Sequence, residues 1–349
     1  PRGGLRSPLG GVKGLMRVVI WTAGGGDAGI GHLTRCQSLV PALLKRGAKV
    51  QVIAEAPVSL APFIEGAGAE VQLVPQAGAA LSALKRALPA DVLVADRPDL
   101  TQADSEAHHA AGAGRIVLLA SSRIGHYSSN LAIVDDPVLT ETGRPLARRI
   151  EVGAHLHMVR SGVLALRPAA PVVLEAGKTC KLLIALSGTD PGELTEPLLA
   201  ALHRDIRARG LPVRVSAVIG AGWEAQRRLN LLDSIGEGIE IIDQPSSLAS
   251  AIASADAVVT LGGRTTYEAF ALGRPAFCLP WDTTADYVFA LNAQKLALAV
   301  DPELEKAARA ILAALDSPAD INARAARAFD IVDAGAADRV AALCLEGLS

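Results

Sequence analysis

The chain has 349 residues, half of them apolar and a fifth charged, with a formal net charge of −2. That balance fits a globular chain of two domains at roughly 150 residues each, and gives no basic surface for a polyanion such as DNA. Three tyrosines and three tryptophans leave little aromatic surface for stacking single strands, no apolar run nears the ~20 residues of a membrane-spanning helix, and no secretory leader stands out.

Residues 1 to 15, "PRGGLRSPLGGVKGL", are rich in Gly and Pro without periodicity. They are left out of the predicted fold, and Met16, which opens the first strand, is the expected native start. "MRVVIWT" predicts a strand. The loop "GGGDAGIG" follows, then a helix over "LTRCQSLVPALLKRG". Leu33, Cys36, Leu39, Val40, Leu43 and Leu44 share one face of it, Pro41 predicts a kink, and Gly47 a C-terminal cap. Strands are predicted at "KVQVIAE", "DVLVAD" and "RIVLLA", with helical sequence between. His108 and His109 are expected on a solvated helix face. The polar stretch "DDPVLTETGRPLARRIEVGAHLHMVRSGVLALRPAAP" breaks the alternation and is read as the end of the first domain plus a linker.

The alternation restarts at "TCKLLIALSGTDPGELTEPLLAALHRDI" and runs through "VRVSAVIG", "IEIID", "ADAVVTLGG", "TTYEAFALG" and "PAFCLP". Repeated strand-helix units predict an α/β chain with two Rossmann-like parallel-sheet domains facing a central cleft. The expected limits are 16–165 for the N-terminal domain and 166–330 for the C-terminal one. Residues 331–349 form a final helix that packs across domains. The four cysteines are scattered in apolar surroundings, which predicts buried free thiols in a cytoplasmic protein.

Three glycine-bearing turns fall at predicted strand ends, where open α/β sheets bind ligands. In the first, a dinucleotide reading has Glu55 about 20 residues on as the ribose acid. Its order GGGxxGxG is not a clean GxGxxG, however, and a better diphosphate site lies in the second half. His32 follows Gly31 at the start of a helix facing the cleft, which suits a general base. In "LSGTDPGELT", Gly188 and Thr189 present turn amides, and Asp190-Pro191 reads as N-cap and first helical residue. In "LGGRTTYEAFALGRP", Gly262-Gly263 precede a helix capped by Thr265 or Thr266, an anion site suited to a diphosphate. Glu268 is placed in its first turn as a carboxylate for ribose hydroxyls or for capping. Asp135-Asp136 reads as a turn before Pro137 rather than a metal site. His155 and His157 would share a strand face without a third zinc ligand.

Together "GIGHLTRCQSLV", "LLIALSGTDPGELT", "LGGRTTYEAFALGRP" and "LNAQKLA" resemble the UDP-sugar hydrolases of pseudaminic acid biosynthesis and the related spore-coat polysaccharide proteins. The third stretch is shared with the lipid-linked N-acetylglucosaminyltransferases of peptidoglycan synthesis. The resemblance covers most of residues 16 to 300 and implies the GT-B fold. It implies that His32 is the base that activates water, with Gly29 and Gly31 flanking it. It puts Glu268 on the UDP ribose, and Gly262, Gly263 and Thr265 around the phosphates. It puts Asn292 on the nucleotide-sugar and the backbone of Ile242 on the uracil. Two departures fall in the N-terminal half. The family's Asp-x-Tyr reads Asp96-Arg97-Pro98 here, and an acidic pair after the next strand is replaced by "LLASSRIGHY".

The expected activity is cleavage of a UDP-sugar at its anomeric carbon, without a metal or other cofactor, in nonulosonic acid or surface polysaccharide synthesis. The alternative is an inverting glycosyltransferase with the same donor site and a hydroxyl acceptor. A non-catalytic nucleotide-sugar binder is a third reading. The expected partner is a small-molecule nucleotide-sugar; neither a nucleic acid nor a membrane span is expected.

Overall fold

The computed structural model describes residues 15–25, 30–75, 79–120, 127–137, 145–190, 192–220, 222–234, 238–245 and 247–348. Two parallel sheets organise them. The first contains β1 (Arg17–Ala23), β2 (Lys49–Glu55), β3 (Glu70–Val74), β4 (Ala90–Asp96), β5 (Ala113–Ala120), β6 (Ser129–Val134) and β7 (Ala147–Val152), in the order β3-β2-β1-β4-β5-β6-β7. Helices α1 (Gly31–Lys45), α2 (Ala79–Ala87) and α3 (Gln102–Ala110) connect its first five strands. The short helix α4 (Ser161–Leu164) leads out of this half.

The second sheet contains β8 (Cys180–Ile184), β9 (Val213–Ile219), β10 (Ile239–Asp243), β11 (Ala257–Thr260), β12 (Ala276–Cys278) and β13 (Leu298–Ala299), in the order β10-β9-β8-β11-β12-β13. Its connecting helices are α5 (Thr195–Arg209), α6 (Ala225–Ser234), α7 (Leu248–Ser254), α8 (Arg264–Ala271) and α9 (Ala285–Ala293). Helices α10 (Leu304–Asp316), α11 (Ala319–Ile331) and α12 (Ala336–Leu345) follow. Central strands are buried on both faces, which is why they read as unbroken apolar runs.

In each sheet the strand order reverses between its first and fourth strands. The two switch points are therefore β1/β4 and β8/β11, and the loops that open there are the ones that bind ligands in such sheets. The glycine turns singled out above follow β1, β8 and β11. Helix α12 does not stay with the second sheet. Ala336, Val340, Ala341 and Cys344 enter the core of the first, packed with Leu39 and Leu43 of α1. Arg167 fastens the crossing region: it donates to the carbonyls of Ala271, Phe329 and Val332, where α8 and α11 end.

The segment read as a linker is more ordered than its polarity suggested. Residues 147–152 form β7 and pair with β6 at the sheet edge, where one face meets solvent and apolar continuity is not needed. All four thiols are free and buried, as expected. Burial pushes Cys180 and Cys344 up to about 12 and Cys278 up to about 11, so none of these is a ready nucleophile.

His109 is exposed, but His108 is 1% exposed. It stands edge-on to Trp21, ring centroids 4.8 Å apart, with Nδ1 2.9 Å from the Tyr127 hydroxyl. Burial lowers it to about 4 from 6.5. Unfolded chains bind this proton first as pH falls, so folding stability is lost from pH ~6.5 down to ~4. His108→Phe should flatten that limb in a plot of Tm against pH; an unchanged limb would remove His108 as its source.

Candidate active site

The start of α1 carries a chain of buried charges. His32 Nδ1 lies 2.6 Å from Asp96 Oδ1 at the end of β4. Asp96 is fully buried and takes two bonds from Arg35, Nε to Oδ2 at 2.9 Å and Nη2 to Oδ1 at 2.5 Å. Burial alone would raise the Asp96 carboxyl, but Arg35 and then His32 outweigh it and hold it well below the usual range. The carboxylate is therefore ionised and accepts from Nδ1–H, which leaves Nε2 of His32 as a proton acceptor.

Arg35 also donates to Asp135 Oδ1 at 3.0 Å. Asp135 Oδ2 lies 3.1 Å from His157 Nδ1, off the line of a hydrogen bond, so neither atom has such a partner among the described residues. Burial lowers His157 despite the carboxylate, which leaves the ring neutral. That ring stacks on Tyr267 of α8 at 3.8 Å and 9°. The series His32–Asp96–Arg35–Asp135–His157–Tyr267 thus runs from the first domain's switch point into the second domain.

At the second switch point Gly262 has φ +82°, and a Cβ there would lie 2.5 Å from Val288 Cγ2. Glycine is required on both counts. Gly263 precedes α8, which begins at Arg264, so neither Thr265 nor Thr266 caps it. Thr266 turns inward and bonds Thr260 at 2.7 Å. Glu268 sits in the second turn, not the first, 5% exposed. Its Oε1 accepts from Arg160 Nε at 2.8 Å, while Oε2 has no partner among the described residues.

A cavity of about 680 Å³ lies between the halves. Ile30, Thr34 and Gln37 line it from the first domain, and Ser187, Gly188, Gln244 and Thr265 from the second. Its loops are strained: Ser187 has φ +124° and Gln244 +42°. Gly220 makes the approach possible, since a Cβ there would lie 2.2 Å from the Gly188 carbonyl oxygen. A second hollow of about 350 Å³ opens one residue past Asp96, lined by Gly24, Gly25, Glu55, Arg97, Pro98 and Asp99. Glu55, the ribose acid of the dinucleotide reading, is instead ion-paired with Arg97 at 3.0 Å.

The candidates named from sequence divide accordingly. His32 and Asp96 are brought together, with Gly31 beside them; Gly29 lies outside the described residues. Gly188 and Thr265 line the cavity, Thr189 is exposed on the same loop, and Gly262 and Gly263 shape the turn before α8. Three others face elsewhere. Asp190, 1% exposed, accepts from the amides of Leu194 and Thr195 and from Arg227. It ties the loop down ahead of α5, which starts at Thr195, with Asp190 and Glu193 in left-handed φ of +43° and +51°; Pro191, expected to open the helix, lies outside the described residues. Ile242 lines a different hollow, and the cavity begins two residues later at Gln244. The Asn292 side-chain Oδ1 accepts from Arg324 at 3.2 Å and from the Ala299 amide at 3.4 Å, so it braces β13.

Arg35 and Arg264 were missed, and Asp135 and His157 were weighed only as a turn residue and a zinc ligand. A cation on an otherwise apolar helix face, three residues after His32, was the available signal for Arg35. His155 and His157 do not share a strand face: His155 is the exposed residue of a 3₁₀ turn and His157 is buried after it. Among the described residues no cluster of three or more His, Cys, Asp or Glu is arranged to hold a metal ion. No helix among them is long and apolar enough to cross a membrane.

No protein-family model matches the chain. No curated protein matches it either. Solved structures do. The glycosyltransferase of kitacinnamycin aligns over 95% of this chain and 98% of its own, with a TM-score of 0.64 at 14% identity. MurG of Acinetobacter baumannii aligns over 95% and 99%, with 0.61 at 16%. HepE of Anabaena, solved with UDP-glucose, aligns over 95% and 99%, with 0.60 at 14%. Likeness over nearly the whole of both chains shows the fold, which is GT-B.

Proposed function

We propose that the protein is an enzyme that uses a nucleotide-sugar, and that it moves the glycosyl group of a UDP-sugar to a hydroxyl acceptor with inversion at the anomeric carbon. The observation that carries this reading is the His32–Asp96 pair, held at one switch point where the start of α1 meets the start of α8 at the other, next to the cavity that Ile30 and Thr265 line.

In this reading the nucleotide occupies the cavity from Ser187 to Gln244. Its diphosphate lies against the start of α8, and the unpaired Oε2 of Glu268 accepts a ribose hydroxyl. Nε2 of His32 takes the proton of the acceptor hydroxyl as its oxygen attacks the anomeric carbon. The bond from that carbon to the β-phosphate oxygen breaks, and its electron pair leaves with UDP. The helix dipole and loop amides offset the charge that develops there. Asp96 stays ionised and stabilises the imidazolium.

Transfer is preferred to hydrolysis, the first expectation, because the hollow lined by Arg97, Pro98 and Asp99 past the end of β4 offers room for an acceptor larger than water. The relatives in fold that act as glycosyltransferases support it too. The deciding assay measures UDP release from UDP-sugars with and without hydroxyl acceptors. Release that needs an acceptor supports transfer. Free sugar and UDP in its absence restore hydrolysis, and binding without turnover in either condition overturns an enzymatic role. Glu268→Gln should weaken UDP binding about tenfold and leave turnover at saturating donor nearly unchanged, measured by calorimetry and steady-state kinetics.

A further inference from the structure

We infer that Arg264 is the cation that holds the donor's diphosphate and ties it to the histidine loop, an assignment that rests on the nucleotide-sugar reading above. Arg264 opens α8 and directly precedes Thr265, which lines the cavity. Its Nε sits 3.1 Å from where a Cβ on Gly31 would be, so the guanidinium of one domain lies on the residue that precedes the base of the other. Residue 31 is a glycine at the point where a side chain would crowd that contact.

The charges Arg264 feels come from both domains: Arg35, Asp135, Asp96 and Glu268. Each of those carboxylates is committed to another cation, Asp96 and Asp135 to Arg35 and Glu268 to Arg160. The carboxylates act on Arg264 through space, with no side-chain hydrogen bond among the influences on it. Burial, with Arg35 beside it, pulls it below the ordinary arginine value, the direction expected of a cation short of counter-charge. A guanidinium carries five donors in a fork that matches phosphate oxygens. The starts of α1 and α8 add positive partial charge on either side of it. One cation flanked by two helix starts suits a multiply charged anion, and its place between the cavity and the His32–Asp96 pair is where a leaving diphosphate belongs.

The test is calorimetric titration of UDP, UMP and uridine into the wild type, Arg264→Gln and Arg264→Lys. Arg264→Gln should lose about 10- to 100-fold in UDP affinity, the size of a charge-assisted bond, with uridine affinity held within about twofold. Arg264→Lys should fall between, because it keeps the charge and loses the fork. Equal losses for all three ligands, or unchanged UDP affinity, overturn the assignment. Should the Gln variant fail to fold, the Lys variant decides by the same criterion of selective loss. A wild type that binds no UDP sinks the nucleotide-sugar reading itself; a wild type that binds UDP as its Arg264 variants do sinks only the role of Arg264.

Discussion

Replacing His32 with alanine should lower turnover by about 100- to 10,000-fold, the usual worth of a positioned general base, and leave UDP affinity within about twofold. The imidazole is anchored to Asp96 at 2.6 Å and does not line the nucleotide cavity, so its loss removes proton transfer without removing nucleotide contacts. Asp96→Asn sharpens the test. An amide cannot hold Nδ1–H as the carboxylate does, and the wrong tautomer presents a hydrogen where the base needs a lone pair. Its turnover should fall nearly as far, and the double variant little further, because the pair acts as a unit. A fully active His32→Ala enzyme would end the base assignment.

The largest effect on stability is expected at Arg35. Arg35→Met leaves the buried carboxylates of Asp96 and Asp135 without their shared cation, a change that costs about 3–5 kcal/mol. Urea unfolding or a thermal scan reads this directly. The loss should depend on pH with a defined sign. Arg35 is the main group holding both carboxyls below their unfolded value of 3.8, against the opposing pull of burial. That stabilisation is fully present above pH ~4 and fades as pH falls through the folded values. The gap between wild type and variant should therefore narrow on acidification. A gap that stays constant would mean that Arg35 acts by packing.

Much of the architecture was legible in the chain. "KVQVIAE" coincides with β2, whose buried positions carry an apolar record, and "IEIID" with β10, an edge strand whose isoleucines are half-buried. The edge strand β7, "ARRIEV", was hidden because half-exposed positions admit arginine and glutamate. The His32 loop stood out by its glycines and its place after a strand. Asp96 was named for the family's Asp-x-Tyr, but its pairing with His32 was not legible, nor were Arg35 and Asp135, since Arg35 lies 61 residues from Asp96 and 100 from Asp135 and they meet only through the sheet order. Asp190 and Asn292 misled for a related reason. A carboxylate or amide in a loop looks the same in sequence whether it faces a ligand or ties down its own backbone.

The return of α12 to the first domain has a consequence for how the molecule is made. Ala336, Val340, Ala341 and Cys344 complete a core whose other members lie almost entirely within the first 158 residues. On the ribosome that first domain must wait, its α1 face uncovered, until the whole second domain has been synthesised. The domain begun first is therefore finished last, and the second domain can assemble as an insert within a core still open.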